Sequence, residues 1–233
     1  MRNARLPGIV FLAFLAVAAF PAKGWAFDSA QSYVQTQFLP PQLLPPPPAA
    51  DSKAQRAQID AVIHAQQGLS ETELAALRNE QYLRIDLMTS VLGPSFNRAR
   101  LPKTFAMLDR VFGSAEQVTE ADKKFWRTRR PYLSDPRVKL YVDPIDDSPS
   151  YPSGHTTASR VLAEVLGMLA PDQRAALRAR AEDIARRRVE AGVHYPVDLE
   201  AGRTLALLIV GALTANKDFQ DDLVAAKNEV AGK

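Results

Sequence analysis

The sequence contains no cysteine among its 233 residues, and histidine occurs only three times. Without thiols the chain has no disulfide framework and no thiolate-bound metal, so disulfide-stapled proteins and cysteine zinc sites are excluded. The composition, 46% hydrophobic and 24% charged, is typical of a globular protein long enough to bury one sizeable core. Stability must therefore come from packing, and we expect one domain.

Long hydrophobic runs are also scarce, and the most apolar one lies at the N-terminus. Arg2 and Arg5 precede an apolar run over residues 9–20, and Gly24-Trp25-Ala26 places small residues where a signal peptidase cleaves. The run is shorter than the roughly 18 residues that a membrane-spanning helix needs, which disfavours the alternative of an uncleaved anchor. We therefore predict a signal peptide over residues 1–26, cleavage after Ala26 and a periplasmic protein.

An excess of positive charge is missing once this segment is removed. It carries Arg2, Arg5 and Lys23 and no acid, so 29 basic residues against 26 acidic ones become 26 against 26. The mature chain is formally neutral and has no Lys/Arg run interleaved with aromatic residues. We expect no nucleic-acid partner and, after cleavage of the signal, no membrane association.

No strand-like alternation of polar and apolar residues is evident, whereas helical periodicity and capping signals recur. Residues 27–50 are rich in Gln and Pro, and we interpret them as a docked arm or flexible leader. Residues 51–233 are predicted to form one all-α domain. Helices are expected from a cap at Asp51 or Ser52 to Gly68, from Ser70 to a stop at 93–94, after Pro102, from Thr119 to before Pro131, and over 155–169, 172–191, 196–215 and 218–229.

The stretch Pro152-Ser153-Gly154-His155 comes immediately before an amphipathic run. A Pro-Ser-Gly turn at a helix start leaves several main-chain N–H groups unpaired, and Ser153 and His155 add a hydroxyl and a titratable ring. Such a helix start can bind an anion. The alternative is an ordinary N-cap with a histidine facing solvent.

A second histidine occupies a similar position before the next helix. His194 is followed by Tyr195-Pro196-Val197-Asp198, and proline at the first helical position puts Asp198 within reach of the ring. A carboxylate behind an imidazole fixes its tautomer and leaves the other nitrogen free to act as nucleophile or base. The alternative is that Asp198 merely caps the helix.

Three basic residues could complete an anion site, although each has basic neighbours that make a solvated basic face the default interpretation. Arg188 lies six positions before His194, next to Arg187. Lys123 and Arg130 are separated by six residues, and Arg130 directly precedes Pro131. The residues between Pro131 and Tyr151 form a polar loop longer than most connections, which is a candidate functional loop.

Together these blocks resemble the signature of the type 2 phosphatidic acid phosphatase (PAP2) superfamily: Lys, six residues, Arg-Pro; then Pro-Ser-Gly-His; then Arg, five residues, His, three residues, Asp. Tyr151, the Thr156-Thr157 pair and the Leu/Pro leader over 43–48 are most similar to the bacterial class A non-specific acid phosphatases. The sequence departs from these phosphatases at Arg187, where they usually carry serine.

The resemblance implies a helical bundle like that of PAP2 enzymes and vanadate haloperoxidases, and a metal-independent, cofactor-free acid phosphatase acting on small phosphate monoesters. It implies His194 as nucleophile, Asp198 as its orienting carboxylate and His155 as general acid. The implied phosphate-binding residues are Lys123, Arg130, Ser153, Gly154 and Arg188. Phosphate or vanadate would inhibit, and a homo-oligomer is compatible with the resemblance.

Other functions fit parts of the same pattern. The PAP2 constellation also holds vanadate in haloperoxidases, which resemble longer chains, and it occurs in membrane lipid phosphate phosphatases, which are more apolar. From a different class, a periplasmic helical binding protein could retain these residues without catalysis. Hydrolysis of an aryl phosphate in the presence of a chelator discriminates between these functions.

Overall fold

The computed structural model describes residues 32–145 and 148–232, and within these ranges the chain is helical and contains no strand. The all-α fold class is therefore confirmed. The predicted signal peptide lies outside the described residues. The α-helices of the described part are α1 (Lys53–Ala65), α2 (Glu71–Asn79), α3 (Asp86–Thr89), α4 (Pro102–Trp126), α5 (Pro131–Ser134), α6 (Gly154–Leu169), α7 (Arg174–Glu190), α8 (Pro196–Ala215) and α9 (Lys217–Ala231).

Helix α6 lies at the centre of the bundle and packs against α4, α7 and α8. Its apolar residues are almost completely removed from solvent, including Val161, Leu162 and Leu166. A helix that is apolar on most sides needs neighbours on most sides, which explains its central position. Helix α9 packs on α4, and α1 packs on α7 and α8. No helix of the described residues combines the length and hydropathy needed to cross a bilayer.

The Pro-rich arm is docked over the part of it that the structure describes. It contains two single 3-10 turns, Thr36–Phe38 and Pro41–Leu43. Tyr33 and Leu44 are buried in the main core, and the Tyr151 hydroxyl donates a hydrogen bond to the Pro45 carbonyl. Proline cannot donate a main-chain hydrogen bond, so the proline-rich part of the arm is bound through its carbonyls, whereas the Tyr33 N–H donates to the Ser114 hydroxyl at 3.0 Å.

Two helix predictions were wrong. The helix expected from Ser70 to 93–94 is interrupted after Asn79, and the C-cap residue Glu80 is bound through its side chain by Arg180 and Arg187 of α7. The two helices expected on either side of Thr119 are the single helix α4. Thr119 does not cap a helix.

Instead, the Thr119 hydroxyl donates to the Ala115 carbonyl at 2.7 Å, the back-bond that a threonine makes inside a helix. The α4 helix ends where Arg127 adopts a left-handed conformation, with φ of 50°. The other capping signals are confirmed. Ser52 accepts a hydrogen bond from the Gln55 N–H, and Ser70 and Glu73 form a capping box.

Two glycines allow the close approaches that shape the region around the predicted histidines. Gly192, between α7 and α8, has φ of 79°, and a Cβ there would lie 2.2 Å from the Lys139 carbonyl oxygen. Gly202 on α8 faces the start of α6, and a Cβ there would lie 2.9 Å from the Thr156 Cβ. Only glycine lets these segments approach so closely.

Candidate active site

His194 lies in the short connection between α7 and α8 and is 3% exposed. Its Nδ1 is 3.1 Å from the Asp198 Oδ2, and its Nε2 is 3.3 Å from the Arg130 Nη1. Pro196 starts α8 and places Asp198 at the third helical position, so the predicted spacing does bring the carboxylate behind the ring. Because a carboxylate only accepts, Nδ1 carries the proton and the Nε2 lone pair faces the cationic side.

Asp198 is fixed by two further donors to the same oxygen. The Ser150 hydroxyl donates to Oδ2 at 2.5 Å and the Tyr195 N–H donates at 2.9 Å. Burial raises the pKa of Asp198 to about 6, although these hydrogen bonds lower it. Burial, with the positive charge of Arg130 as the next cause, lowers the pKa of His194 well below its usual value. This shift favours the neutral form of the ring.

Two cations, Lys123 and Arg130, meet on the side of His194 opposite Asp198. The Lys123 Nζ donates to the Ser148 hydroxyl at 3.0 Å and to the Pro149 carbonyl at 2.9 Å. The Arg130 Nε donates to the Ser148 carbonyl at 2.7 Å, and its Nη1 donates to the Val193 carbonyl at 2.8 Å. Burial lowers the pKa of Lys123 to about 8 and lowers that of Arg130. Both remain charged below neutral pH.

Arg188 lies in the last turn of α7 and is 1% exposed. Its carbonyl accepts from the His194 N–H, so it adjoins His194 through the main chain. Its Nη2 donates to the Leu77 carbonyl at 3.3 Å, and its Nε is buried without a hydrogen-bond partner among the described residues. Burial lowers its pKa to about 10, which still leaves the guanidinium charged at neutral pH. A buried donor without a partner destabilises the folded state unless a ligand accepts a hydrogen bond from it.

The start of α6 supplies the remaining predicted residues. Ser153 is the N-cap, and its hydroxyl accepts from the Thr156 N–H at 3.4 Å and from the Thr156 hydroxyl at 3.0 Å. Its N–H donates to the Asp198 carbonyl at 3.0 Å, which ties this helix start to that of α8. The His155 Nε2 is 3.2 Å from the Glu80 carbonyl oxygen. Burial, followed by the charge of Arg188, lowers the pKa of His155 to about 3.

A cavity of about 960 Å³ opens onto these groups. Its inner wall contains both histidines with Lys123, Arg130 and Gly154. Towards the surface the wall carries Tyr82, Phe112, Ile145, Glu116 and Glu120. Among the described residues, no cluster of three or more His, Asp or Glu side chains is arranged to hold a metal. The inner wall is cationic, and a small anion would meet it next to the His194 Nε2.

The geometry can be compared with known proteins. The PAP2 superfamily model matches residues 108–220, the part of the chain that holds all three motif blocks. A non-specific acid phosphatase of Salmonella typhimurium strain LT2 is 30% identical over 217 residues, which are 89% of this chain and 84% of that protein.

The chain belongs to the PAP2 superfamily. Within it, the chain groups with the bacterial non-specific acid phosphatases, so the predicted resemblance is confirmed. The Salmonella typhi non-specific acid phosphatase is 29% identical, with coverage of 89% and 84% of the two chains. An acid phosphatase of Zymomonas mobilis is 28% identical and covers 80% of this chain and 74% of its own.

A solved structure is similar in fold. It is a transmembrane PAP2-type phosphatidylglycerolphosphate phosphatase from Bacillus subtilis, with a TM-score of 0.50 and 17% identity, covering 71% of this chain and 87% of its own. At this identity the likeness shows that the PAP2 bundle is shared, and it says nothing about the substrate.

The PAP2 fold brings the eight predicted site residues to one region, although they come from five separate stretches of the chain. The sequence reasoning missed Ser148 and Ser150, which hold Lys123 and Asp198. Both lie in the long polar loop that was recognised as a candidate functional loop, and their position just before the Pro-Ser-Gly-His block was the available signal. It also missed the carbonyls at the end of α2 that contact Arg188 and His155.

Proposed function

We propose that this PAP2 protein is a metal-independent acid phosphatase that hydrolyses small phosphate monoesters through a phosphohistidine at His194. The observation that carries the proposal is the orientation of the buried His194 ring, with Nδ1 on Asp198 and Nε2 beside Arg130 in a cationic cavity. A neutral imidazole held in this tautomer presents its lone pair to a bound phosphoryl group.

Binding of the phosphoryl group depends on fixed positive charge. A phosphate monoester carries about −1.5 to −2 charges at neutral pH, and Lys123, Arg130 and Arg188 provide three buried cations. The Arg188 Nε–H has no hydrogen-bond partner among the described residues, and the start of α6 at Ser153 and Gly154 adds the positive end of a helix. These groups stabilise the charge that develops in the transition state and take the role that Mg²⁺ plays in other phosphoryl-transfer enzymes.

The reaction has two halves. In the first, the His194 Nε2 lone pair bonds to phosphorus, the bond from phosphorus to the ester oxygen breaks, and His155 gives its proton to that oxygen. In the second, His155 takes a proton from water as the water oxygen attacks phosphorus. The phosphorus–nitrogen bond breaks and inorganic phosphate leaves. Both half-reactions conserve atoms and protons, and His155 is protonated again at the end of the cycle.

The pKa values indicate how His155 obtains its proton. The proposed roles require different protonation states of the two histidines, yet burial lowers the pKa of both. A bound phosphoryl dianion adds negative charge beside His155 and raises its pKa again. Below about pH 6 the phosphate ester itself carries a proton, which it can transfer to His155. We therefore propose that activity is highest on the acidic side of neutrality.

The proposal includes export. The charged, apolar and small-residue order of residues 1–26 supports a cleaved signal and a periplasmic location, with the docked arm and the helical domain forming the mature protein. N-terminal sequencing of protein recovered from a periplasm should begin at Phe27, and an intact Met1 would contradict the prediction.

The decisive assay measures release of an aryl alcohol from an aryl phosphate by purified protein, with EDTA in the buffer and at pH values from 4 to 8. We expect turnover in EDTA, inhibition by phosphate and by vanadate, and a rate maximum below pH 7. A His194→Ala preparation controls for contaminating phosphatases. Complete loss of activity in the chelator, restored by a divalent metal, would refute the proposed mechanism.

A further inference from the structure

The last turn of α2 supplies acceptors to two groups of the proposed site. The Leu77 carbonyl accepts from the Arg188 Nη2 at 3.3 Å, and the Glu80 carbonyl lies 3.2 Å from the His155 Nε2. Glu80 is the C-cap of this helix, where main-chain carbonyls lack intrahelical partners and carry partial negative charge. The end of α2 therefore presents partial negative charge to the positively charged groups of the site.

The Glu80 side chain anchors this turn to α7. Glu80 is 5% exposed, and its Oε1 accepts from the Arg180 Nη2 at 2.7 Å and also from the Arg187 Nη1. Its Oε2 is buried with no hydrogen-bond partner in the described part of the chain. Because Arg187 directly precedes Arg188, one segment of α7 both anchors the turn and carries a phosphate-binding cation.

We propose that Glu80 and Arg187 are positioning residues for the general acid His155, acting through the Glu80 main-chain carbonyl. A carbonyl can only accept, so the proton of the neutral His155 ring lies on Nε2 and the catalytic proton is gained and lost at Nδ1. The inference rests on the proposed function, since it requires His155 to protonate the leaving group.

The charges around His155 support this role. Burial and the Arg188 charge depress the pKa of His155, whereas the hydrogen bond to the Glu80 carbonyl acts in the opposite direction. Loosening the turn would remove a contact that favours the protonated ring. Arg187 occupies the position where the acid phosphatases usually carry serine, and in this chain it reaches the turn by an ion pair to Glu80.

A purely structural role for Glu80 makes a different prediction, and the chain offers a matched control. Glu164 on α6 is 9% exposed and also joins two arginines, accepting from the Arg160 Nε at 2.7 Å and the Arg178 Nη2 at 2.7 Å. It does not line the catalytic cavity. Glu164→Gln therefore removes the same kind of buried ion pair without touching the site.

The experiment compares wild type, Glu80→Gln and Glu164→Gln on an aryl phosphate and an alkyl phosphate. An aryl oxide leaves readily, whereas an alkoxide needs the proton of His155, so the ratio of the two kcat/KM values reports on the general acid. We expect Glu80→Gln to lower the alkyl value about tenfold more than the aryl value, a fraction of the roughly 10²–10⁴-fold that a general acid contributes. Glu164→Gln should leave the ratio unchanged.

A second series keeps the test valid should Glu80→Gln fail to fold. Arg187→Ala should shift the ratio in the same direction, and Arg187→Lys should restore it at least in part. An unchanged ratio in Glu80→Gln and Arg187→Ala, or an equal shift in Glu164→Gln, would overturn the positioning role. Failure of wild type to hydrolyse the aryl ester would instead overturn the proposed function.

Discussion

The two sides of the candidate site differ in how firmly their histidines are held. His194 is 3% exposed, has a carboxylate on Nδ1, and that carboxylate receives two further hydrogen bonds. His155 is more exposed than His194, and its neutral ring is held by the main chain at the end of α2. One histidine is fixed by charge and the other by a neutral carbonyl.

The difference follows from what each proposed role requires. A nucleophile must keep one tautomer throughout the reaction, and a buried carboxylate enforces it. A general acid must gain and lose a proton in every cycle, and a carboxylate partner would hold the imidazolium too strongly to release it. A neutral carbonyl orients the ring while its charge state stays responsive to the bound phosphoryl group.

The largest expected effect comes from His194→Ala. Without the nucleophile neither half-reaction proceeds, so turnover of aryl and alkyl esters should fall together, on the order of 10⁶-fold. Rapid-quench labelling of wild type with a radioactive phosphate ester, followed by peptide mapping, should place the label on His194. Label on another residue would overturn the assignment of the nucleophile.

Asp198→Asn should follow in size, lowering kcat by about 10⁴-fold for both ester classes, because an amide no longer enforces the tautomer of His194. Steady-state kinetics on the two esters measure it. Asp122→Asn is the matched control, since Asp122 is equally buried yet does not contact either histidine, and its kcat should stay near wild type. Similar losses in the two variants would mean that burial of the acid, and not its contact with His194, is what matters.

His155→Ala tests the other side of the comparison. We expect about 10²–10⁴-fold loss for alkyl phosphates and a much smaller loss for activated aryl phosphates, whose leaving groups need no proton. The ratio of kcat/KM values for the two ester classes is the measurement. Equal losses for both classes would contradict a general-acid role.

The smallest effect concerns stability and again involves Asp122, whose two carboxylate oxygens are buried without partners among the described residues. Burial raises its pKa to about 7, so between its unfolded value and pH 7 the folded state binds more protons than the unfolded state. The resulting contribution to the free energy of unfolding is lost as pH rises through about 7.

Thermal unfolding at pH 5 and pH 8 tests this linkage. The melting temperature of Asp122→Asn relative to wild type should rise by a few degrees between the two pH values. An unchanged difference would show that the Asp122 carboxyl does not titrate in this range.

Sequence reasoning predicted helix starts well where the signal is local. Three examples are the Ser52 cap, the Ser70–Glu73 capping box and the proline that opens α8. Each involves residues within about one helical turn, so the side chains that form the signal in the sequence also form the contacts in the structure. The order of the three motif blocks likewise identified the superfamily, because each block combines chemically specific residues at fixed spacing.

The same reasoning was wrong where distant residues decide. Thr119 and Asp122 are residue types typical of a helix start, yet both are buried in the structure and α4 continues through them. Conversely, the helical pattern of the sequence continues past Asn79, whereas in the structure α2 ends there and the Glu80 side chain pairs with two arginines of α7.

The sequence by itself determined the helical class and predicted the residues of the candidate site, with Asp198 within reach of His194, because these depend on residue types and on separations of a few residues. Only the tertiary structure decided which main-chain carbonyls hold Arg188 and His155 and which serines hold Lys123 and Asp198. Every residue has a carbonyl, so nothing in a sequence marks those that will be used. That choice is made when helices far apart in the chain pack together.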